Sequence, residues 1–191
     1  MQSFLVSTGV VAMAEMGDKT QLLALVLAAR FRKPLAITLG ILVATLLNHG
    51  LAGLAGTWLD GAIPDAWLRW ALAASFLGVA VWAVIPDRLD EGEASRGGQR
   101  GAFVATLIAF FLAEIGDKTQ VATIALAAKF GSLLPVVAGT TLGMLIADVP
   151  AVLFGDRVCG RAGLRIVRWA AAGIFAALGI AAAAGLDLGM R

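Results

Sequence analysis

Two stretches decide how this chain is read: Glu15-Met16-Gly17-Asp18-Lys19-Thr20-Gln21 and Glu114-Ile115-Gly116-Asp117-Lys118-Thr119-Gln120. The offset between them is 114 − 15 = 99 residues, and it holds without gaps well beyond the motif. Phe4 answers to Phe103, Arg30 to Lys129, Phe31 to Phe130, Gly40 to Gly139 and Gly56 to Gly155. Arg69-Trp70 answers to Arg168-Trp169, and Phe76 to Phe175. A chance match between two apolar segments would repeat Ala and Leu, not Trp, Arg and a whole motif. The chain is therefore a duplication of one half-length unit.

Working outward, each motif lies inside a long apolar run. Six such runs stand out, at 3–29, 34–59, 66–85, 102–128, 133–154 and 164–186. Each reaches the roughly 20 helical residues needed to cross a hydrocarbon core. They are continuous rather than alternating, which predicts helices and not the strands of a membrane barrel. The composition agrees: 60% of residues are hydrophobic, 15% are charged and the mean hydropathy is +0.88. A soluble domain carries about a quarter charged residues. The fold class read here is all-α integral membrane, with six transmembrane helices as two inverted three-helix repeats. The units are 1–86, a polar cytoplasmic linker at 87–101 and 102–191. An odd number of crossings per half forces the halves into opposite orientations.

Charge outside the spans sets the expected topology. Arg30, Arg32, Lys33, Arg88, Arg96, Arg100, Arg157, Arg161, Arg165 and Arg168 would share one side, against Arg69, Lys129 and Arg191 on the other. The positive-inside rule puts the first group in the cytoplasm and both termini outside it. Trp58, Trp67, Trp70, Trp82 and Trp169 fall near run ends, where interfacial anchors sit. Ala12-Met13-Ala14 imitates a signal-peptide cleavage site, but no Lys or Arg precedes it and the segment recurs in the second half, so it reads as part of the first helix. The net charge of +2, with no basic run, excludes a nucleic-acid surface. The single cysteine, Cys159, excludes an intrachain disulfide and a multi-thiolate metal site, and it reads as incidental.

The chemistry concentrates in the motifs. An Asp or Lys at the centre of a membrane helix costs ~2.5–3.5 kcal/mol on insertion scales. Two copies of Glu, Asp and Lys at that depth mark an ion or proton pathway. Glu15 and Asp18, three residues apart, share a helix face, and Lys19 lies four residues from Glu15, placed to neutralise it in part. Gly17 leaves room for close backbone approach or local unwinding. If the two motif helices cross, Glu15, Asp18, Glu114 and Asp117 converge as ligands, with Lys19 and Lys118 tuning their charge. Thr20, Gln21, Thr119 and Gln120 offer additional neutral oxygens. Such oxygens suit hard divalent cations such as Ca²⁺, Mg²⁺ or Mn²⁺. Four carboxylates and two lysines sum to −2, which one divalent ion neutralises. Crowded carboxylates without that ion should hold protons, so metal entry would expel ~2 H⁺. The partners implied are a divalent cation, protons and a lipid bilayer, with no cofactor and no enzymatic activity.

Three further residues are candidates for proton relay or outer support. Asn48 and His49 lie in the second run and Asp148 in the fifth, and the offset places His49 opposite Asp148. A plain interhelical hydrogen bond is the competing reading for them. Pro150, two residues past Asp148, would free a backbone carbonyl. Met16 could add a soft sulfur, but the second half has Ile115 there, so packing is the better reading.

Two copies of E-x-G-D-[KR]-[ST], one per three-helix half, resemble the Gdt family of Golgi and bacterial membrane proteins. The residues that carry the likeness are Glu15, Gly17, Asp18, Lys19 and Thr20, with Glu114, Gly116, Asp117, Lys118 and Thr119. The resemblance implies cation/proton antiport of Mn²⁺ and Ca²⁺, with the motif acids forming the ion site. It also implies a manganese exporter of the bacterial inner membrane. A homodimer is compatible with the sequence. Two rivals stay open at this point. One is an exporter of amino acids or other small polar solutes, using the acids and lysines for an ammonium and a carboxylate. The other is an intramembrane aspartyl protease, disfavoured because a lysine follows each Asp.

Overall fold

The computed structural model describes residues 1–84, 101–154 and 161–185. The expected linker at 87–101 falls outside them except for Gly101, as do Cys159, Arg88, Arg96, Arg100, Arg157 and Arg191. The described residues form helices and no strand. In chain order these are α1 (Gln2–Glu15), α2 (Lys19–Phe31), α3 (Pro34–Ala62), α4 (Asp65–Val84), α5 (Ala102–Glu114), α6 (Lys118–Phe130), α7 (Leu133–Phe154) and α8 (Arg161–Ala183).

The apolar runs at 3–29 and 102–128, expected as single helices, are each two half-helices broken inside the motif. The glycine makes the break. Gly17 has φ 80° and Gly116 φ 75°, a left-handed conformation that costs other L-residues roughly 1–2 kcal/mol. The flanking residues are extended in both copies: Met16 has ψ 116° and Ile115 ψ 119°, Asp18 ψ 172° and Asp117 ψ 165°. A break at membrane depth frees backbone groups that need partners. The motif supplies them. The side-chain oxygen of Gln21 accepts from the Gly17 N–H at 3.0 Å, and Gln120 does the same for Gly116 at 2.8 Å. The Asp18 and Asp117 N–H groups donate back to the Glu15 and Glu114 carbonyls at 3.0 and 3.1 Å. Thus the final Gln belongs to the motif for a backbone reason.

Two helices, α3 and α7, are long and apolar enough to cross a membrane by themselves. They form the frame on which the broken helices rest. Half-helices α1 and α2 pack on α7, while α5 and α6 pack on α3, so each half embraces the long helix of the other. Small residues allow the approach. A Cβ at Gly40 would stand 2.9 Å from the Phe103 carbonyl oxygen, and one at Gly139 would stand 2.5 Å from the Phe4 oxygen. These two contacts are the same contact seen from the two halves, since Gly40/Gly139 and Phe4/Phe103 are both 99 apart. Helices α4 and α8 pack on each other, and Phe76 stacks on its own counterpart Phe175 with ring centroids 6.4 Å apart. Two residues 99 apart in the sequence thus meet across the halves.

Polarity is inverted relative to a water-soluble protein. Leu47, Leu51, Leu54, Trp58, Trp67, Trp70, Val81, Trp169 and Ile180 are exposed, whereas Glu15, Asp18, His49, Glu114, Asp117, Lys118 and Asp148 are buried. Ionisable groups are almost never fully buried in soluble domains unless paired. An apolar exterior around a charged interior suits a lipid solvent. Four of the five tryptophans, Trp58, Trp67, Trp70 and Trp169, are exposed, as interfacial anchors require.

Candidate ion-binding site

The two breaks meet where α1, α2, α3, α5, α6 and α7 converge. Glu15 and Glu114 end α1 and α5, while Asp18 and Asp117 immediately precede α2 and α6. All four carboxylates are buried. One oxygen of each glutamate is held by the motif threonine of its own half. Thr20 Oγ1 donates to Glu15 Oε2 at 2.6 Å, and Thr119 Oγ1 to Glu114 Oε2 at 2.8 Å. The other oxygens, Glu15 Oε1 and Glu114 Oε1, are buried without a hydrogen-bond partner, as is Asp117 Oδ2. Glu15, Glu114 and Asp117 can each present one oxygen within 4.8 Å of the others. Buried carboxylate oxygens left unsatisfied are costly. A cation held among the three residues would relieve that cost.

The break interrupts the continuous helix that the i to i+4 and i to i+3 spacings assume. Each lysine reaches an aspartate of the other half. Lys19 Nζ lies 3.5 Å from Asp117 Oδ1, and Lys118 Nζ lies 2.6 Å from Asp18 Oδ1. The reciprocal pairs tie the halves together at the site. An ammonium beside each aspartate disfavours the shared-proton dyad of an aspartyl protease.

The remaining candidates surround this centre. Gln21 donates to the Ala147 carbonyl at 3.0 Å, and Gln120 to Asn48 Oδ1 at 3.5 Å. Asn48 occupies the position 99 residues before Ala147, so both glutamines reach the same place on the opposite long helix. Asn48 also donates to the Phe111 carbonyl at 3.0 Å. His49 Nε2 stands 4.0 Å from Glu114 Oε2. Asp148 is fully buried on α7, with neither oxygen hydrogen-bonded, within electrostatic range of Glu15 and Glu114. Met16 is half-buried and Ile115 exposed. Sequence reasoning missed the Ala147 carbonyl, which no side chain announces. It also missed Thr45, whose buried hydroxyl has no partner one turn before His49; a hydroxyl that close to a titratable group in an apolar run was the available signal.

Clustered carboxylate oxygens of this kind suit a hard divalent cation. The family model described as divalent cation/proton antiporter GDT1 matches residues 3–91 and 102–186, one stretch per half. The chain belongs to the GDT1 family. It is a multi-pass membrane protein of a transporter family, as the motif resemblance implied. Among GDT1 relatives, a Vibrio cholerae protein named "Putative manganese exporter" is 48% identical over 184 residues, covering 96% of this chain and 91% of the relative. The GDT1-like protein sll0615 of Synechocystis is 32% identical over 173 residues, covering 79% of this chain and 82% of that protein. No solved structure matches the chain.

Proposed function

We propose that this protein exports divalent cations, Mn²⁺ foremost and Ca²⁺ as a second cargo, in exchange for protons. The observation that carries the reading is the buried convergence of Glu15, Glu114 and Asp117, one oxygen each within 4.8 Å. Asp18, a fourth buried acid outside that trio, pairs with Lys118 at 2.6 Å. Glu15, Asp18, Glu114 and Asp117 bind the ion and carry the protons; Thr20 and Thr119 orient the glutamates; Gln21 and Gln120 hold the breaks. Asn48, His49 and Asp148 support the centre from the long helices. Manganese is favoured over calcium by the similarity to the Vibrio protein.

Each broken pair counts as one span in this reading, which gives six spans in two inverted three-helix repeats working by alternating access around a midplane site. The halves are 1–86 and 102–191. The protein belongs in a bacterial inner membrane with both termini outside the cytoplasm, following the basic residues. Both motifs lie in one chain, so the site needs no second subunit.

The test is metal tolerance and cell metal content in a bacterial strain lacking its own exporters. Wild type should lower cell Mn²⁺ and restore growth in excess Mn²⁺, and Asp117→Asn should do neither. If wild type changes no divalent metal, the buried acids serve another solute and the polar-solute exporter takes its place.

A further inference from the structure

The two cross-half ion pairs are chemically identical and structurally unequal. Lys118–Asp18 is short, 2.6 Å, with side-chain exposures of 3% and 0%. Lys19–Asp117 is 3.5 Å, and Lys19 is 18% exposed while Asp117 is 1% exposed. The breaks follow the same division. Gly17 is buried, whereas Ile115 and Gly116, beside Asp117, are exposed. Non-helical backbone at membrane depth is tolerated only when covered by protein or lining water. By that rule the exposed second break is read as lining water; of the two lysines, Lys19 is partly exposed and Lys118 is buried.

Asp117 is also one of the three acids whose oxygens converge. Its Oδ1 faces the Lys19 ammonium and its Oδ2 is the unpartnered oxygen. An arriving dication and the ammonium thus compete for one carboxylate. Two cations within a few ångströms of each other repel strongly in a low-dielectric site. Lys19 is partly exposed and has a flexible four-carbon stem along which to withdraw. Lys118 has the same stem but is buried.

We propose that Lys19 is an internal stand-in for the cargo: its ammonium holds Asp117 until a divalent cation arrives, then withdraws to water, while Lys118 on Asp18 locks the opposite side. The 99-residue equivalence gives the two lysines interchanged roles when the other side opens. The inference rests on the proposed ion site and assigns the lysines a moving part in it, as positioning residues that act through the aspartates.

The test uses the full-length protein in detergent, with Mn²⁺ as the probe. Mn²⁺ binding by wild type is measured first; no binding would sink the ion-site reading and this inference with it. Lysine acylation by a water-soluble amine reagent, mapped by peptide mass spectrometry, then compares Lys19 and Lys118 with and without Mn²⁺. Labelling of Lys19 should rise severalfold when Mn²⁺ binds. Lys19→Gln should bind Mn²⁺ about fivefold tighter, of the order set by a partly exposed ion pair, and turn over more slowly in vesicles. Lys19→Arg should restore both values towards wild type. Wild-type Mn²⁺ binding with Lys19 labelling unchanged or reduced would overturn the stand-in role and leave the ion site standing. Weaker Mn²⁺ binding by Lys19→Gln, as a merely structural loss would give, would overturn the stand-in role as well.

Discussion

The first and second motif breaks hold the same residues in nearly the same backbone angles, with φ 80° at Gly17 and 75° at Gly116. Their internal bonds also agree: threonine to glutamate at 2.6 and 2.8 Å, glycine to glutamine at 3.0 and 2.8 Å. Their surroundings do not agree. The first break is buried and the second exposed; the first lysine is partly solvated and the second sealed; the first half places His49 where the second places Asp148. Local sequence therefore repeats the same break and the same oxygen groups, and packing against the opposite half determines which copy is exposed. Under the proposed alternating-access reading, unequal surroundings of two equivalent units correspond to one side being open.

The largest expected effect is the one that treats both copies alike. Glu15→Gln and Glu114→Gln should each lower Mn²⁺ transport in vesicles by ~100-fold or more, beyond the 10- to 100-fold typical of outer-shell losses. Transport surviving in one of them would break the equivalence of the halves. Next come the glycines. Gly17→Ala and Gly116→Ala each force a Cβ into left-handed backbone at ~1–2 kcal/mol. Both should lower the unfolding temperature in detergent, Gly17→Ala by more, because its surroundings are buried and those of Gly116 hold no atom within 4 Å of the added Cβ. Equal shifts would mean that exposure of the second break is of no energetic consequence.

The motif threonines should matter by up to about tenfold in Mn²⁺ affinity, measured by titration of Thr20→Val and Thr119→Val. Each removes a hydroxyl that fixes one glutamate oxygen, a bond to a charged group worth ~1.5–3 kcal/mol before water or the ion compensates. Unequal losses would show that the two glutamates do not share the ion evenly. The smallest effect, a few-fold change in transport, is expected for His49→Asp, which makes the long helices match. A large loss would assign the His49–Glu114 contact at 4.0 Å a role beyond outer support.

Much of this was legible in the sequence, for identifiable reasons. The 99-residue register carries through to contacts that no single half could form, such as Gly40 on Phe103 and Gly139 on Phe4. Oxygen chemistry at the motif was readable because ionisable residues in an apolar run have few structural uses. The interruption of the first and fourth apolar runs was not fixed by pattern. Hydropathy sees a continuous run, and only the positive φ of one glycine divides it. The lysine partners escape the sequence for the same reason: an i to i+4 argument presumes the helix that Gly17 ends. Cross-half pairing depends on the approach of two segments ninety-nine residues apart, which spacing within one helix cannot express.

The most direct test of the central claim is proton release coupled to Mn²⁺ entry, read with a pH dye inside liposomes carrying the purified protein. Wild type should link Mn²⁺ flux to a stoichiometric proton counterflow of ~2 H⁺ per ion, by the charge count of four acids and two lysines. Asp117→Asn should abolish both together. Mn²⁺ flux through wild type with no linked change of pH would contradict the exchange mechanism outright.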